Sequence, residues 1–413
     1  MIYPKVQYYP SFSTGEFAND CKQNKLLGGK LTPRFYSDEF PVEHQHKLFL
    51  LTAGHLYKKM DIRKQMGLEN AFVMGDSGGY QIAMGAIKWD QSVRQQIFEW
   101  LEANSDLAMN IDIPPYGDMA GKFDECLTIS YDNFKYFEKN QTGKTKFLNV
   151  LQGNNFQQRI KWYDKVKDFE FKGWSCGGCR LPYRLAANIT ALVEGKEHFK
   201  SNNEYLHILG TSKISDFFFL YQIQKSLVEV GSKMQVTTDS SSPSRSVAFG
   251  LYYIGANLNI DSFKSLHIPK ANSTNKSFVP PDCINTILPH QYDMPMPAST
   301  EFDKLIAGMY TYGDCVNNIN DSTMFMTLHN FMVFQDVQKT ISDFVYHHDY
   351  LLEQVTSKET FRVMRILDEI IKSDNPRKVL LQNESYLVGL STVINASTVK
   401  EHSISDFFDV KNK

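Results

Sequence analysis

The sequence predicts an α/β protein, a (β/α)8 barrel with insertions plus a helical C-terminal region. Short apolar runs at 48–51, 71–74, 107–113, 147–151, 173–175, 205–209 and 234–236 alternate with segments of helical period. The helical segments lie at 93–103, 123–139, 156–166, 184–199 and 214–230. Strands alternating with helices imply parallel βα units, and about this many units is close to what closes a barrel of the TIM type. The length of 413 residues accommodates one large barrel domain with an appendage, or two domains.

Residues 1–45 hold scattered Gly, Pro and Asp without a clear helical period, and read as an irregular or hairpin-bearing lead-in. The barrel is assigned to 46–345. Within it, 250–260 alternates differently from the other runs and reads as an added hairpin, and 271–300, rich in Asn, Ser and Pro, as a long loop. From Glu301 onward the pattern is helical, with the clearest helices expected at 325–344 and 346–372. Residues 346–413 form a C-terminal helical extension whose tail after Val399 is polar. The chain has no internal repeat and no low-complexity segment.

Charged residues make up 22% and hydrophobic ones 42%, an ordinary soluble composition. The 29 Phe and 21 Tyr leave rings for base stacking after a core is filled, although core use is the default for most of them. With a net charge of -2, the whole-chain field gives no sign of nucleic-acid binding, so a polynucleotide would have to be met by a local cluster of Lys and Arg. The six cysteines, Cys21, Cys126, Cys176, Cys179, Cys283 and Cys315, show no disulfide framework and suggest a reducing compartment. The start, Met1-Ile2-Tyr3-Pro4, is too polar and aromatic for a signal peptide, and no apolar stretch is long enough to span a membrane. The expectation is a cytoplasmic protein, in the host-cell cytoplasm if phage-encoded, with no membrane partner.

The residues at the end of each run carry the chemistry. After 71–74 comes Gly75-Asp76-Ser77-Gly78-Gly79-Tyr80-Gln81, and the run at 107–113 contains Asp112 and is followed by Pro114-Pro115. Gln152-Gly153, Cys176-Gly177-Gly178-Cys179-Arg180 and Gly210-Thr211 follow the next three, and 234–236 leads to Asp239. In a barrel these ends converge on one pocket. Each piece also has a plainer reading. Asp239, in Asp239-Ser240-Ser241-Ser242, can cap its own loop. The glycine pairs can be tight turns, and Gln152 a satisfied loop residue, although glycine also admits a flat ligand edge and an amide suits a purine. Cys176 and Cys179 have a C-x-x-C spacing suited to redox or zinc chemistry, but no second pair or nearby His completes a metal set, so they also read as packed small residues. No Lys-Ser/Thr follows the Gly-rich runs, which excludes a phosphate loop of the nucleotide-hydrolase kind.

Taken together, these residues resemble the guanine transglycosylase family, the base-exchanging enzymes typified by tRNA-guanine transglycosylase. The matching segments are Asp76-Ser77-Gly78-Gly79-Tyr80-Gln81, Val150-Leu151-Gln152-Gly153, Gly177-Gly178 and Leu209-Gly210, followed by Asp239 with Pro243-Ser244-Arg245, Asn257-Leu258-Asn259-Ile260, and Leu328-His329-Asn330. The match runs from about 45 to 345 and implies a (β/α)8 barrel. By resemblance, Asp239 is the nucleophile of a covalent enzyme–nucleic acid intermediate and Asp76 the acid/base near the exchanged purine. Asp112, Gln152, Gly177, Gly178 and Gly210 would hold the base edge, with Tyr80 and Leu209 against its ring. Arg180, Arg184 and Arg245 would hold phosphates. The chemistry fits these roles, since replacing a base at C1′ passes through an oxocarbenium-like state that a carboxylate can trap. A second carboxylate can handle the proton on the base.

The family's zinc site needs three cysteines in C-x-C-x-x-C spacing. The corresponding stretch, Met294 to Asp303, has none, and Cys283 and Cys315 lie at the wrong distances. His329 is therefore expected to be a packed helix residue, and no cofactor or metal is expected. Loss of this module looks more like the phage-type DNA-guanine transglycosylases (DpdA-like), which put 7-deazaguanines, such as the 7-cyano form, into DNA. The expected partners are DNA, a 7-deazaguanine base and a helicase-like protein that opens the duplex. The same chemistry on tRNA, and a non-catalytic binding subunit, are the rival readings.

Overall fold

The computed structural model describes residues 3–11, 34–38, 40, 45–249, 251–267 and 319–400. Eight parallel strands form one sheet: β1 (Gln7–Pro10), β2 (Leu48–Thr52), β3 (Phe72–Asp76), β4 (Leu107–Met109), β5 (Lys146–Leu151), β6 (Gly173–Cys176), β7 (Tyr205–Ile208) and β8 (Gln235–Ser240). The spatial order is β1-β8-β7-β6-β5-β4-β3-β2. An isolated parallel bridge from Ser11 to Leu50 brings the two ends together, giving a nearly closed (β/α)8 barrel. Val73, Met74, Leu148, Val150, Ile208 and Val236 are fully buried, as expected for strands covered on both faces.

Thirteen helices are placed around and beyond the strands among the described residues. The short helices α1 (Ala53–Leu56), α2 (Ile62–Gln65) and α3 (Gly79–Ala83) flank β2 and β3. The long barrel helices are α4 (Gln91–Asn104), α5 (Phe123–Asn140), α6 (Phe156–Val166), α7 (Pro182–Glu194) and α8 (Ile214–Glu229). Their ends follow local chemistry. Asp90 caps α4 by accepting the Val93 amide, Asn155 caps α6 through Gln158, and Pro182 opens α7 at a position where no backbone donor is needed. On α5 the buried Cys126, Leu127, Ser130, Asn133, Phe134 and Phe137 follow the helical period. Phe137 packs edge-on against Phe98 of α4 and Phe147 of β5, each at 4.9 Å between centroids, so part of the aromatic surplus fills the space between helices and barrel.

The remaining elements are α9 (Ser242–Ala248), the antiparallel pair β9 (Leu251–Asn257) and β10 (Ser262–His267), and α10 (Ile319–His347), α11 (Leu352–Val355), α12 (Lys358–Lys372) and α13 (Pro376–Lys400). Helix α8 is buried nearly all round because α12 lies on its outer side. There Ser226 donates to Asp368 at 2.6 Å, and Lys372 joins Asp368 to Glu229, both at 2.7 Å. Helix α13 covers α7, where the Tyr183 hydroxyl donates to Glu384 at 2.8 Å and Arg377 pairs with Glu194 at 2.9 Å.

Three expectations need correction. Gln7–Pro10, assigned to an irregular lead-in, is a barrel strand, because its ladder partner β8 is distant in sequence and supplies all the pairing that local pattern cannot reveal. The inserted hairpin is displaced. Its strands are β9 and β10, and 258–260 is a 3-10 turn leading into Asp261, whose positive φ reverses the chain. The helix expected over 346–372 is interrupted after His347 and again at Thr356, where the extended Ser357 starts α12 by accepting the Thr360 amide. The loop at 271–300, with Cys21, Cys283, Cys315 and the stretch from Met294 to Asp303, lies outside the described residues. No helix among the described residues is long and apolar enough to cross a membrane.

Candidate active site

The C-terminal ends of the strands carry the site. Asp239 lies on β8 directly beside Tyr9 of β1 in the ladder. Its Oδ1 accepts the Gly210 amide at 2.8 Å, and its own carbonyl accepts the Thr211 amide at 3.1 Å. The turn after β7 therefore wraps the end of β8 and fixes the carboxylate. Gly210 has φ +67, a conformation that a side chain would strain, so glycine allows this amide to turn onto the acid.

A residue that the sequence pattern does not single out sits beneath it. His207 on β7 is fully buried, with Nδ1 2.8 Å from the Thr237 hydroxyl and Nε2 3.3 Å from Asp239 Oδ1. The two atoms are close but make no hydrogen bond in this geometry. Tyr9 packs edge-on against the imidazole at 6.4 Å between centroids. A single histidine inside an apolar strand resembles an ordinary core residue, and only the register that sets it under Asp239 distinguishes it.

Asp76 ends β3 next to Thr52 of β2. Thr52 Oγ1 donates to one carboxylate oxygen at 2.9 Å, and the Gly78 amide donates to the other at 3.1 Å. Burial raises the Asp76 pKa, and the charge of Asp239 acts in the same direction, against the stabilising Gly78 and Thr52 donors. The two carboxylates thus feel each other across the rim. Asp112 follows β4 and is buried; burial, helped by the charge of Asp76, pushes its pKa to about 7 although the Gln152 amide opposes the shift.

Gln152 follows β5 and donates Nε2 to Asp112 Oδ2 at 2.8 Å. Two glycines make this pairing possible. A Cβ on Gly177 would overlap the Gln152 amide, and one on Gly79 would overlap the Asp112 backbone. Asp112, Gln152 and Gly177 are in this way linked across the ends of β4, β5 and β6, as Gly210 and Asp239 are across those of β7 and β8. Leu209 is half-buried on the turn that carries Gly210, and its amide donates to the Cys176 carbonyl at 3.2 Å.

Tyr80 is 56% exposed on α3, and Tyr116, after Pro114-Pro115, is 53% exposed with its ring 5.9 Å from that of Tyr80. Such an exposed aromatic pair is suited to stacking an unpaired base. Tyr116 is not among the residues expected from sequence; its position just after the two prolines is the signal that marks it. Gly178 is exposed with φ +68, and a Cβ there would stand 3.6 Å from Arg184 Nη1. Arg180 is exposed and lies beside Gly210, whose added Cβ would be 3.8 Å from Arg180 Nη2. Arg245 is exposed on α9, beyond Asp239. Arg180 and Arg184 thus lie near the Gly210 and Gly178 turns, whereas Arg245 is on the helix that follows β8.

His329 on α10 is buried, with Nε2 2.8 Å from the Tyr253 carbonyl, and burial lowers its pKa to about 4. The adjacent Asn330 accepts the Tyr253 amide at 2.8 Å and donates to the Leu251 carbonyl at 2.9 Å. Leu328-His329-Asn330 thus fastens β9 to α10. No family model matches the chain, and no curated protein matches it.

Proposed function

We propose that the protein is a base-exchange transglycosylase that replaces guanine in DNA with a 7-deazaguanine derivative, such as the 7-cyano form, through a covalent Asp239–nucleic acid intermediate. The observation that carries this reading is the placing of two carboxylates with different surroundings, Asp239 and Asp76, on the rim that also holds the Asp112–Gln152 pair. Asp239 is held by a backbone amide, and Asp76, half-buried between Thr52 and Gly78, has a pKa raised by desolvation. One is suited to attack and the other to proton transfer.

In the first half-reaction the Asp239 carboxylate forms a bond to C1′ as the bond from C1′ to the guanine nitrogen breaks, and Asp76 supplies the proton that the departing base takes up. In the second half, Asp76 accepts the proton from the incoming base. Its nitrogen then attacks C1′, and the Asp239 ester bond breaks to regenerate the carboxylate. Asp112 and Gln152 present an acceptor and an amide to the purine edge, an arrangement that favours a base with two adjacent donors. The base must leave its stack to reach them, and the Tyr80–Tyr116 pair offers a surface for an unpaired neighbour.

The test incubates the protein with radiolabelled guanine, or a labelled 7-deazaguanine, and either duplex DNA or tRNA. Label entering DNA supports the proposal; label entering tRNA alone transfers the same chemistry to RNA. A denaturation-resistant protein–DNA adduct that forms with the native chain and is absent from Asp239→Asn assigns the nucleophile. Unchanged exchange in that variant removes Asp239 from the role of nucleophile, whereas no exchange by the native chain on either polynucleotide favours a binding subunit.

A further inference from the structure

Base exchange makes no use of Cys176, Cys179 or Arg159, which lie together beneath the Gly177-Gly178 turn. Arg159 on α6 is fully buried. Its Nη1 donates to the Gly177 carbonyl at 3.3 Å and to Asn188 Oδ1, while Nε and Nη2 have no hydrogen-bond partner. Among the described residues, no carboxylate forms an ion pair with it. A guanidinium is always charged and is costly to bury alone, so the surroundings favour a negative group within its field.

The nearest groups able to carry that charge are the two thiols. Asn188 on α7 donates Nδ2 to Cys179 Sγ at 2.9 Å and to the Gly177 carbonyl at 3.3 Å, tying the guanidinium, the turn and the thiol into one network. Cys179 Sγ is also 3.4 Å from the Cys176 carbonyl. Burial raises the Cys176 pKa well above the usual thiol range. For Cys179 burial acts the same way but is outweighed by the Cys176 thiol, Arg159 and Asn188, so its pKa is lowered. Cys179, the sulfur that accepts from Asn188, is therefore the more readily ionised of the two, the asymmetry a dithiol needs for disulfide exchange.

We propose that Cys176 and Cys179 form a redox-active pair in which Cys179 is the attacking thiolate, and that their disulfide disables the base pocket by reshaping the Gly177-Gly178 turn. The co-reactant is a low-molecular-weight disulfide such as glutathione disulfide. The Cys179 thiolate attacks one of its sulfurs, forming a mixed disulfide and releasing one thiolate. Cys176 then loses its proton to that thiolate and attacks the Cys179 sulfur, expelling the second thiolate, which takes a proton from water. Two protein thiols are oxidised and one small disulfide is reduced to two thiols. Cys179 is buried, with 4% of its surface exposed, and is preceded in the turn by the exposed Gly178, so the reagent enters only as the turn opens. Gly177 packs directly on the Gln152 amide, so a shift of the turn moves the residue that pairs with Asp112. This last consequence rests on the transglycosylase reading, whereas the thiol chemistry does not.

The full-length protein is treated with glutathione disulfide, quenched in acid, alkylated and mapped by mass spectrometry, with guanine binding measured on the same samples. The expected product is a Cys176–Cys179 disulfide, reversed by dithiothreitol, while Cys126 remains reduced. In Cys176→Ser the mixed disulfide accumulates on Cys179, whereas in Cys179→Ser capture at Cys176 is about tenfold slower or less. Cys126→Ser behaves as the native chain. Absence of the disulfide, or equal capture at Cys176 and Cys179, overturns the proposal. A disulfide that leaves guanine binding intact overturns its effect on the pocket. Failure of the reduced protein to bind guanine counts against the transglycosylase reading, and the mass map still decides the pair.

Discussion

His207 Nε2 lies 3.3 Å from the same Asp239 oxygen that accepts the Gly210 amide. The imidazole is buried and anchored from below by Thr237, so it does not reach a substrate held above the rim. It is expected to act as a positioning residue for Asp239. Replacing it by Gln is expected to lower kcat roughly 10- to 100-fold and leave KM for the free base nearly unchanged. Steady-state exchange kinetics check this, and a rise in KM alone would show that the side chain serves base binding instead.

Asp112 is expected to set the pH dependence of base binding. The carboxyl, with a pKa near 7, must be ionised to accept two donors from a purine edge. Base affinity is therefore expected to rise with pH through about 7 and level off above it, and Asp112→Asn should flatten the profile. The stability effect has the opposite sign. The folded pKa lies above the unfolded value of about 3.9, so the folded state loses stability as pH rises between them, and the penalty is complete above about 7. Calorimetric titration of the base and thermal unfolding against pH measure the two effects.

Gly177→Ala tests the close approach beneath the base. The added methyl overlaps the Gln152 amide, and at this position φ does not require glycine, so packing is the sole reason for the effect. An overpacking cost of about 1–3 kcal/mol is expected in urea unfolding, with a loss of exchange because Gln152 is displaced from Asp112. Gly389→Ala, where nothing lies near the added methyl, serves as the control.

Salt dependence tests the three arginines for phosphate contacts, and base binding separates them. If Arg180, Arg184 and Arg245 each hold a phosphate, each Ala variant weakens polynucleotide binding across sequences and lowers the slope of log affinity against log salt by about 1. Arg184 is half-buried beside Gly178, so its variant is also expected to disturb base binding, whereas Arg245→Ala should spare it. Fluorescence anisotropy at several salt concentrations gives both quantities.

Seven of the eight barrel strands are legible in the sequence because each is an apolar run followed by glycine, acid or amide, as in Ala71 to Tyr80. Helices α6 and α8 are likewise legible from their periodicity. The strand Gln7–Pro10 is not, since it ends in proline, lacks a following helical pattern and acquires its role from β8. The rim acids and Gln152 stand out by position, but the pairing of Gln152 with Asp112 depends on a fit between two turns distant in sequence. Arg159 gives no sequence signal at all. On α6 it resembles an ordinary charged residue, and its complete burial arises from the packing of α7 and the Gly177-Gly178 turn around it.

The pairing of β1 with β8 has a consequence for biosynthesis. Tyr8 donates its hydroxyl to the Ser240 carbonyl across 232 positions of chain. Of the eight barrel strands, β1 leaves the ribosome first and must wait for β8, the last of them, roughly 10–50 s at ordinary elongation rates. During that interval Tyr8 and Tyr9 have no ladder partner in β8, and the ground on which Asp239 will stand does not exist. A nascent chain of this protein needs shielding around β1, and removing Gln7–Pro10 would unseat an acid that lies 230 positions further along the chain.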